Sequence, residues 1–158
     1  MVQDSSDADL LKKGTTDLLR DALELGDRPV TAGVTPRADV VFATPDTSPE
    51  QLEGLAIRTG FSRFPVIESD DTVSGYLHLK DVLYAGESER DLPVPVKRVR
   101  KLATVQPEDE VEEVLATMQR TGAHLARVVD GEGQDMGVVF LEDVLEELVG
   151  EVTDASQR

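Results

Sequence analysis

The apolar positions in the first half of the chain predict a strand, a helix, two strands and a second helix. A short apolar run at 39–43 is followed by apolar residues at helical spacing over 49–59, and two further apolar runs flank the polar pair Asp70-Asp71. Contiguous or alternating apolar residues are typical of strands, whereas recurrence every three to four positions is typical of helices. The second helix is predicted to begin at Lys80.

Local signals mark both ends of the first helix. Thr47 or Ser48 is placed to cap its N-terminus, because a hydroxyl oxygen there accepts from a free backbone N–H group. Pro49 suits the first helical position, and Gly60 is placed to end the helix.

The same pattern returns 62 positions later without a gap. Eleven identical pairs share this offset, which is too many for chance, so the chain is a tandem repeat. The pairs are Pro45/Pro107, Glu50/Glu112, Arg58/Arg120, Thr59/Thr121, Gly60/Gly122, Val66/Val128, Gly75/Gly137, Leu79/Leu141, Asp81/Asp143, Val82/Val144 and Leu83/Leu145. The second copy predicts a strand at 102–105, a helix at 109–120, strands at 125–129 and 136–141, and a last helix at 142–149.

The repeat divides the chain into two units that are expected to share a core. A unit of about 55 residues buries too little surface to be stable alone. The predicted boundaries are 1–15 for a solvated tail, 16–30 for a short amphipathic helix and lead-in, 31–86 for the first unit (unit 1), 87–96 for an extended linker, 97–150 for the second unit (unit 2) and 151–158 for a C-terminal tail.

Composition removes several classes of function. The 158 residues carry 16 basic against 32 acidic side chains, a formal net charge of -16 that disfavours binding to nucleic acids and to anionic membrane surfaces. No cysteine is present and only two histidines are, which argues against thiolate or histidine-rich metal sites. No apolar run is long enough to span a bilayer, so no direct membrane insertion by this chain is expected.

Four strings carry a resemblance to a known family. They are Thr35-Pro-Arg-Ala-Asp-Val-Val41, Gly60-Phe-Ser-Arg-Phe-Pro-Val66, Gly75-Tyr-Leu-His-Leu-Lys-Asp-Val-Leu83 and Leu141-Glu-Asp-Val-Leu-Glu-Glu-Leu-Val-Gly-Glu151. The repeated unit resembles a CBS domain, and the strings resemble the CBS pair (Bateman module) of CorC/HlyC-type magnesium and cobalt efflux proteins, which include haemolysin-like proteins and the cyclin M transporters.

The resemblance implies an α+β fold and a regulatory role. Two CBS domains, each strand-helix-strand-strand-helix, would pack through their sheets with pseudo-two-fold symmetry after a short N-terminal helix. The chain would then be the cytoplasmic part of a longer membrane protein, next to the membrane domain of the same polypeptide, and would form a homodimer through its CBS helices. Its ligand would be an adenine nucleotide, ATP or AMP, with Mg²⁺ carried by ATP.

The resemblance also assigns candidate ligand contacts. Asp143 and Asp81 match the acid that accepts the ribose hydroxyls, although an acid in the first turn of a helix is equally explained by the helix dipole. Three positions before them stand Phe140 and His78. Many CBS domains have a hydroxyl there, so the Phe140 ring either clashes with the ribose or stacks on the adenine.

The remaining candidate contacts lie in the loops that follow the first helix of each unit. Phe61, Ser62 and Arg63 belong to the string that approaches the phosphates, and Arg63 is the basic residue expected to bind them. The alternative for Arg63 is an ion pair with a nearby carboxylate. His124 is the repeat equivalent of Ser62, and a structural role for this histidine is favoured over a ligand contact.

Two functions from different classes remain. The first is a nucleotide-binding regulator of a CorC-like Mg/Co efflux protein. The second is a ligand-free dimerisation module whose nucleotide site has degenerated because of Phe140. An enzyme is not expected, because the sequence has no nucleophile elbow, no metal-ligand set and no glycine-rich phosphate loop.

Overall fold

The structure is a computed structural model that describes residues 29–156, with the backbone alone described at 31, 32 and 151–156. The solvated tail predicted at 1–15 and nearly all of the helix predicted at 16–30 lie outside the described residues.

The helix and the two strands that follow it recur at the 62-residue offset, as the repeat predicts, whereas the elements on either side of them differ between the units. Unit 1 and its lead-in contain β1 (Thr35–Pro36), α1 (Pro49–Thr59), β2 (Arg63–Ile67) and β3 (Val73–His78). Unit 2 contains β4 (Ala103–Val105), α2 (Val111–Thr121), β5 (Leu125–Val129), β6 (Asp135–Phe140) and α3 (Leu141–Ser156). Single 3-10 turns occupy Val30–Gly33, Arg37–Asp39, Leu79–Val82 and Val96–Arg98.

The ends of α1 form as the sequence predicts. Of the two candidate caps, Ser48 is the one used. Its hydroxyl accepts from the Gln51 amide while the Gln51 side chain accepts from the Ser48 amide, a reciprocal capping box. Gly60 ends the helix with φ 77°, a left-handed conformation that glycine adopts without steric cost.

The prediction of a second helix at Lys80 is wrong. The segment forms a 3-10 turn, Leu79–Val82, and turn-type hydrogen bonds continue to Ala85 before Gly86. The position equivalent to Gly86 in unit 2 is Leu148, which is buried in the core, so α3 continues there for 16 residues.

The strand predicted at 39–43 also does not form as a strand. Arg37–Asp39 is a 3-10 turn, and only Ala43 makes a bridge, parallel to Val66. The 3-10 turn takes the place of the start of the predicted strand, so pairing is limited to one residue. In unit 2 the turn at Val96–Arg98 ends farther from the strand, and β4 pairs with β5 over three positions.

The two units exchange their first segments, which we call the lead-in segments. β1 lies at the start of unit 1 but adds to the sheet of unit 2, which has the order β1-β6-β5-β4. In the same way Arg100 lies near the start of unit 2 but bridges Tyr76 on β3, in the β2-β3 hairpin of unit 1. The segments cross between the units, so neither unit is complete without the other.

Two glycines at equivalent positions allow this crossing. A Cβ on Gly75 would lie 2.6 Å from the Arg100 carbonyl oxygen, and a Cβ on Gly137 would overlap the carbonyl oxygen of Thr35. The backbone of each lead-in therefore passes directly over a glycine of the other unit's sheet.

Three apolar clusters hold the molecule together. One lies in unit 2 around α2, one in unit 1 around Phe64, and a third joins the units through Tyr76, Leu125 and Val138, with Phe140 packed against it. Within residues 29–156, no helix combines the length and the apolar character that crossing a membrane requires.

Candidate functional site

A cleft of about 390 Å³ opens where the units meet, beside the third apolar cluster. The lead-in and the loop after α1 supply one side, and the junction of β6 with α3 supplies the other. Its lining residues are Thr35, Asp39, Val40, Val41, Gly60, Phe61, Ser62, Arg63, Phe140, Glu142 and Asp143. We call this space the inter-unit cleft.

Asp143 presents a carboxylate to the inter-unit cleft from the first turn of α3. Within residues 29–156 no hydrogen bond or ion pair engages it. Partial burial raises its pKa, and the neighbouring carboxylates of Glu146, Glu142 and Glu147 raise it further. Ionisation of Asp143 is therefore less favourable in the folded protein than in water. A ligand that donates hydrogen bonds to the carboxylate would stabilise its charged form.

Arg63 carries positive charge into the same cleft from the start of β2. Its Nη1 donates to Glu142 Oε1 at 2.5 Å, and its Nη2 lies 3.4 Å from His124 Nδ1. Burial removes water from His124 and lowers its pKa, and the positive charge of Arg63 lowers it further. Both effects favour a neutral imidazole beside the guanidinium. The ion pair expected as the alternative for Arg63 is thus present, and it spans the cleft between the units.

Aromatic and apolar side chains complete the cleft. The Phe140 ring is half-buried at the end of β6 and packs on the apolar cluster that joins the units. Phe61 follows the helix-ending Gly60 and is 52% exposed, an unusual exposure for a phenylalanine. The cleft therefore combines two rings, the Arg63 guanidinium with its partner Glu142, and the carboxylates of Asp143 and Asp39, which form no ion pair among the described residues.

Asp81, the repeat equivalent of Asp143, has a different environment. Arg100 donates to both of its oxygens, Nε to Oδ2 at 2.8 Å and Nη2 to Oδ1 at 2.6 Å, and the His78 amide donates to Oδ2 at 2.9 Å. The side chain is 11% exposed. Burial opposes its ionisation, but the hydrogen bonds from Arg100 and His78 and the charge of Arg100 outweigh it and lower the pKa of Asp81.

Each of the two units matches the same family model. The model described as "CBS domain" matches residues 32–88 and again residues 96–150. The chain belongs to the CBS-domain family. It is a tandem CBS pair with the α+β fold that the repeat and its strings predict.

The CBS pair is similar to parts of longer curated proteins. It is 30% identical to the magnesium and cobalt efflux protein CorC of Escherichia coli over 155 residues, which are 98% of this chain and 53% of that protein. It is 36% identical to a UPF0053 protein of Mycobacterium tuberculosis over 141 residues, which are 87% of this chain and 32% of that protein. The chain thus spans about a third of the length of one of these relatives and about half of the length of the other.

Solved structures of the same module superpose on the CBS pair. The CBS domain of a bacterial CNNM/CorC family Mg²⁺ transporter, in complex with ATP, is 32% identical with a TM-score of 0.73 over 84% of this chain and 95% of that one. The structure of such a domain described without ATP gives a TM-score of 0.74 at 30% identity, over 90% of this chain and 91% of that one. These comparisons confirm the resemblance to the CorC/CNNM family.

The structure places most of the eight candidate residues of the CBS pair at the inter-unit cleft and two of them elsewhere. Five of them line the inter-unit cleft: Phe61, Ser62, Arg63, Phe140 and Asp143. His124 contacts Arg63 at the side of the cleft, and its amide donates to the Tyr76 hydroxyl at 3.2 Å. His78 and Asp81 do not line the cleft, and His78 Nδ1 accepts from the Lys80 amide at 3.0 Å as part of a capped turn.

Sequence reasoning missed two residues that shape the two sites. Glu142 is not among the candidate contacts that the sequence indicates, yet it binds the guanidinium of Arg63. Arg100 is not among them either, although it neutralises Asp81. The repeat gives a signal for Arg100. Its equivalent position in the first repeat is Ala38, so an arginine is available to Asp81 where the equivalent residue for Asp143 is an alanine.

The ion pair between Arg100 and Asp81 gives a pH prediction. Because the pKa of Asp81 is lowered in the folded state, its contribution to stability is present above the ordinary aspartate range and is lost as the pH falls through the folded-state pKa. Arg100→Gln is expected to lower the free energy of unfolding at neutral pH by about 1–3 kcal/mol, because hydrogen bonds to a charged partner are lost. The difference should shrink in acid. Urea unfolding at a series of pH values measures it, with the exposed Lys97→Gln as control, and an equal loss at every pH would contradict it.

Proposed function

We propose that this CBS pair is a regulatory module that binds an adenine nucleotide in the inter-unit cleft and controls a CorC-like divalent-cation efflux protein from its cytoplasmic side. The observation that carries the proposal is the Asp143 carboxylate, unpaired within residues 29–156 and lining a cleft of suitable size. The similarity to a CNNM/CorC family CBS domain in complex with ATP supports the adenine nucleotide as the ligand.

The chemistry of the cleft suits the three parts of a nucleotide. The Asp143 carboxylate would accept hydrogen bonds from the ribose hydroxyls, which are donors that a carboxylate binds strongly. The Arg63 guanidinium and the Ser62 hydroxyl would bind the phosphates. The base would lie against the Phe140 or Phe61 ring, where stacking offsets the hydroxyl that Phe140 replaces.

Glu142 would compete with the phosphates for Arg63. In the structure Glu142 holds the guanidinium, so a phosphate would have to displace this carboxylate and lie near those of Asp143 and Asp39. Mg²⁺ carried by ATP would reduce this repulsion, because it neutralises part of the phosphate charge. No group of three or more His, Asp or Glu side chains within residues 29–156 is arranged to hold a metal ion by itself.

Regulation would follow from the position of the cleft. Arg63 belongs to unit 1 and Asp143 to unit 2, so a bound nucleotide would contact both units. A ligand shifts a conformational equilibrium by its difference in affinity for the two states. A nucleotide that exchanges the Arg63–Glu142 contact for its own contacts would favour one arrangement of the units, which the rest of the transporter would sense.

The charges of the cleft give a prediction with two opposite signs. Arg63→Gln is expected to weaken ATP binding by about tenfold, the effect of losing a charge-assisted hydrogen bond. Glu142→Gln is expected to strengthen it severalfold and to reduce the need for Mg²⁺, because Arg63 is released and one negative charge is removed. Calorimetric titration measures both, with the exposed Arg58→Gln and Glu113→Gln as charge-matched controls. Equal effects from the controls would assign the change to net charge and contradict the proposed contacts.

Phe140 separates the two expectations for its ring. Phe140→Leu keeps the side chain apolar and packed on the central cluster but removes the aromatic face. If the ring stacks on the base, this variant weakens ATP binding by about three- to tenfold, which corresponds to the 0.5–1.5 kcal/mol of an aromatic pair. Unchanged affinity would contradict stacking on Phe140.

The alternative function, an assembly module without ligand, is supported by a separate observation. Ile57, Leu83 and Val149 are large apolar side chains that are more than half exposed. Exposed apolar side chains of this kind suit an interface between two copies. This alternative predicts a dimer in solution whose thermal stability does not respond to ATP or AMP, and sedimentation together with thermal unfolding tests it.

A further inference from the structure

A second groove, of about 460 Å³, lies between the start of β3 and strands β4 and β5. Its lining residues are Thr72, Val73, Ser74, Lys101, Leu102, Thr104 and Arg127. It shares none of these with the inter-unit cleft and includes neither Asp81 nor Asp143. We call it the basic groove.

The charge of the basic groove is opposite to that of the molecule. The chain has a formal net charge of -16, yet the charged side chains that line this groove are both cations, Lys101 and Arg127. Within residues 29–156 neither cation forms an ion pair. The carboxylates nearest to the groove along the chain are those of Asp71 and Asp70. The Asp70 carboxylate accepts from the Thr72 hydroxyl at 2.7 Å and from the Thr72 amide at 3.2 Å.

The Arg127 guanidinium is held in place by neutral oxygens. Its Nε donates to Thr104 Oγ1 at 2.9 Å, and its Nη1 donates to the Val73 carbonyl oxygen at 3.3 Å. These contacts orient the guanidinium without neutralising it and leave Nη2 with no partner among the described residues. An arginine fixed in this way loses little side-chain entropy when it binds an anion.

Hydroxyl groups beside the two cations supply further donors. Thr104 Oγ1 accepts from Arg127, so its own hydrogen is available to a ligand. The Ser74 hydroxyl makes only a long contact, 3.5 Å, with the Val66 carbonyl oxygen. The groove therefore offers donors from a guanidinium, an ammonium and two hydroxyls around one space.

From this arrangement we infer that the basic groove binds the phosphate group of a small soluble metabolite, at a site separate from the inter-unit cleft. A phosphate has several acceptor oxygens and accepts from guanidinium, ammonium and hydroxyl donors together. The volume lies within the range of small-molecule sites. The negative charge of the rest of the surface disfavours a nucleic acid as the source of the phosphate.

Titration of the full chain with inorganic pyrophosphate, followed by backbone amide NMR, tests the inference. Saturable shifts are expected at the amides of Val73, Ser74, Thr104 and Arg127, and acetate at equal ionic strength should produce none. Shifts confined to the inter-unit cleft, shifts that do not saturate, or equal shifts with acetate would overturn the inference.

Variants distinguish binding in the basic groove from an effect of net charge and from binding at the proposed nucleotide site. Arg127→Gln is expected to weaken pyrophosphate binding by about tenfold and Lys101→Gln by severalfold. The Lys101 side chain makes no hydrogen bond or ion pair with the described residues, so its effect is measurable even if Arg127→Gln unfolds the chain. Arg120→Gln removes the same charge elsewhere, and Asp143→Asn removes the proposed ribose contact. Neither should weaken pyrophosphate binding, and a loss equal to that of Lys101→Gln in either would contradict the assignment.

Discussion

Asp143→Asn is expected to abolish most of the ATP affinity while making the ligand-free protein more stable. The affinity falls because an amide cannot replace a carboxylate that accepts charge-assisted hydrogen bonds from a ribose. Each such bond is worth about 1.5–3 kcal/mol, so a loss of about 10- to 100-fold is expected. Isothermal titration of native and variant protein measures it.

The gain in stability follows from the direction of the pKa shift. The pKa of Asp143 is raised in the folded state by burial and by neighbouring carboxylates, so the native chain loses stability as the pH rises from the ordinary aspartate range through that raised value. An asparagine does not ionise and avoids this loss. The variant should therefore unfold at a higher urea concentration at pH 7, and the advantage should vanish in acid.

The repeat supplies a matched control for this experiment. Asp81→Asn makes the same chemical change at the equivalent position, where the carboxylate is bound by Arg100 and by the His78 amide. It should lower stability at neutral pH and leave ATP affinity unchanged. If Asp143→Asn were to keep its affinity, or if the two variants behaved alike, the assignment of Asp143 as the ligand-binding acid would be wrong.

Gly137→Ala is expected to cause the largest loss of stability among single-methyl changes. Gly137 has φ 151° and lies on β6 beneath β1, and a Cβ there would overlap the Thr35 carbonyl oxygen and come within 3.1 Å of the Val34 side chain. The clashing atom is backbone and cannot rotate away. Strain and overpacking together should cost about 3 kcal/mol or more.

The same substitution should also change the shape of the inter-unit cleft. Thr35 lines the inter-unit cleft, and β1 is held by its pairing with β6, so displacing β1 moves one wall of the site. Urea unfolding and ATP titration of Gly137→Ala measure both effects. Gly131→Ala, in a turn where a Cβ would meet nothing within 4 Å, is the control and should be nearly neutral. A nearly neutral Gly137→Ala would contradict the crossing of the lead-in segments.

The tandem organisation and much of the cleft were predictable because they depend on local signals and on one repeat offset. Capping residues mark α1, glycines at equivalent positions end α1 and α2, and the family strings contain ten of the eleven residues that line the cleft, all except Phe140. Such signals lie within a few positions of each other along the chain.

The features that could not be predicted depend on partners that are distant in sequence. Arg63 binds Glu142 across 79 positions and Arg100 binds Asp81 across 19, and nothing local indicates either pairing. The short turn at Leu79–Val82 is an intermediate case. The sequence shows that Gly86 of the first repeat corresponds to Leu148 of the second. The effect of this difference on helix length follows only from the burial of Leu148 in the core.

The central claim is that one of the two repeat-related sites binds a nucleotide and the other is closed by the chain itself. Calorimetric titration of the full chain with ATP in the presence of Mg²⁺ tests it most directly, because it reports affinity and stoichiometry together. One ATP per chain is predicted, since Asp143 is available and Arg100 occupies Asp81. No saturable heat would contradict nucleotide binding, and two ATP per chain would contradict the closure of the Asp81 site.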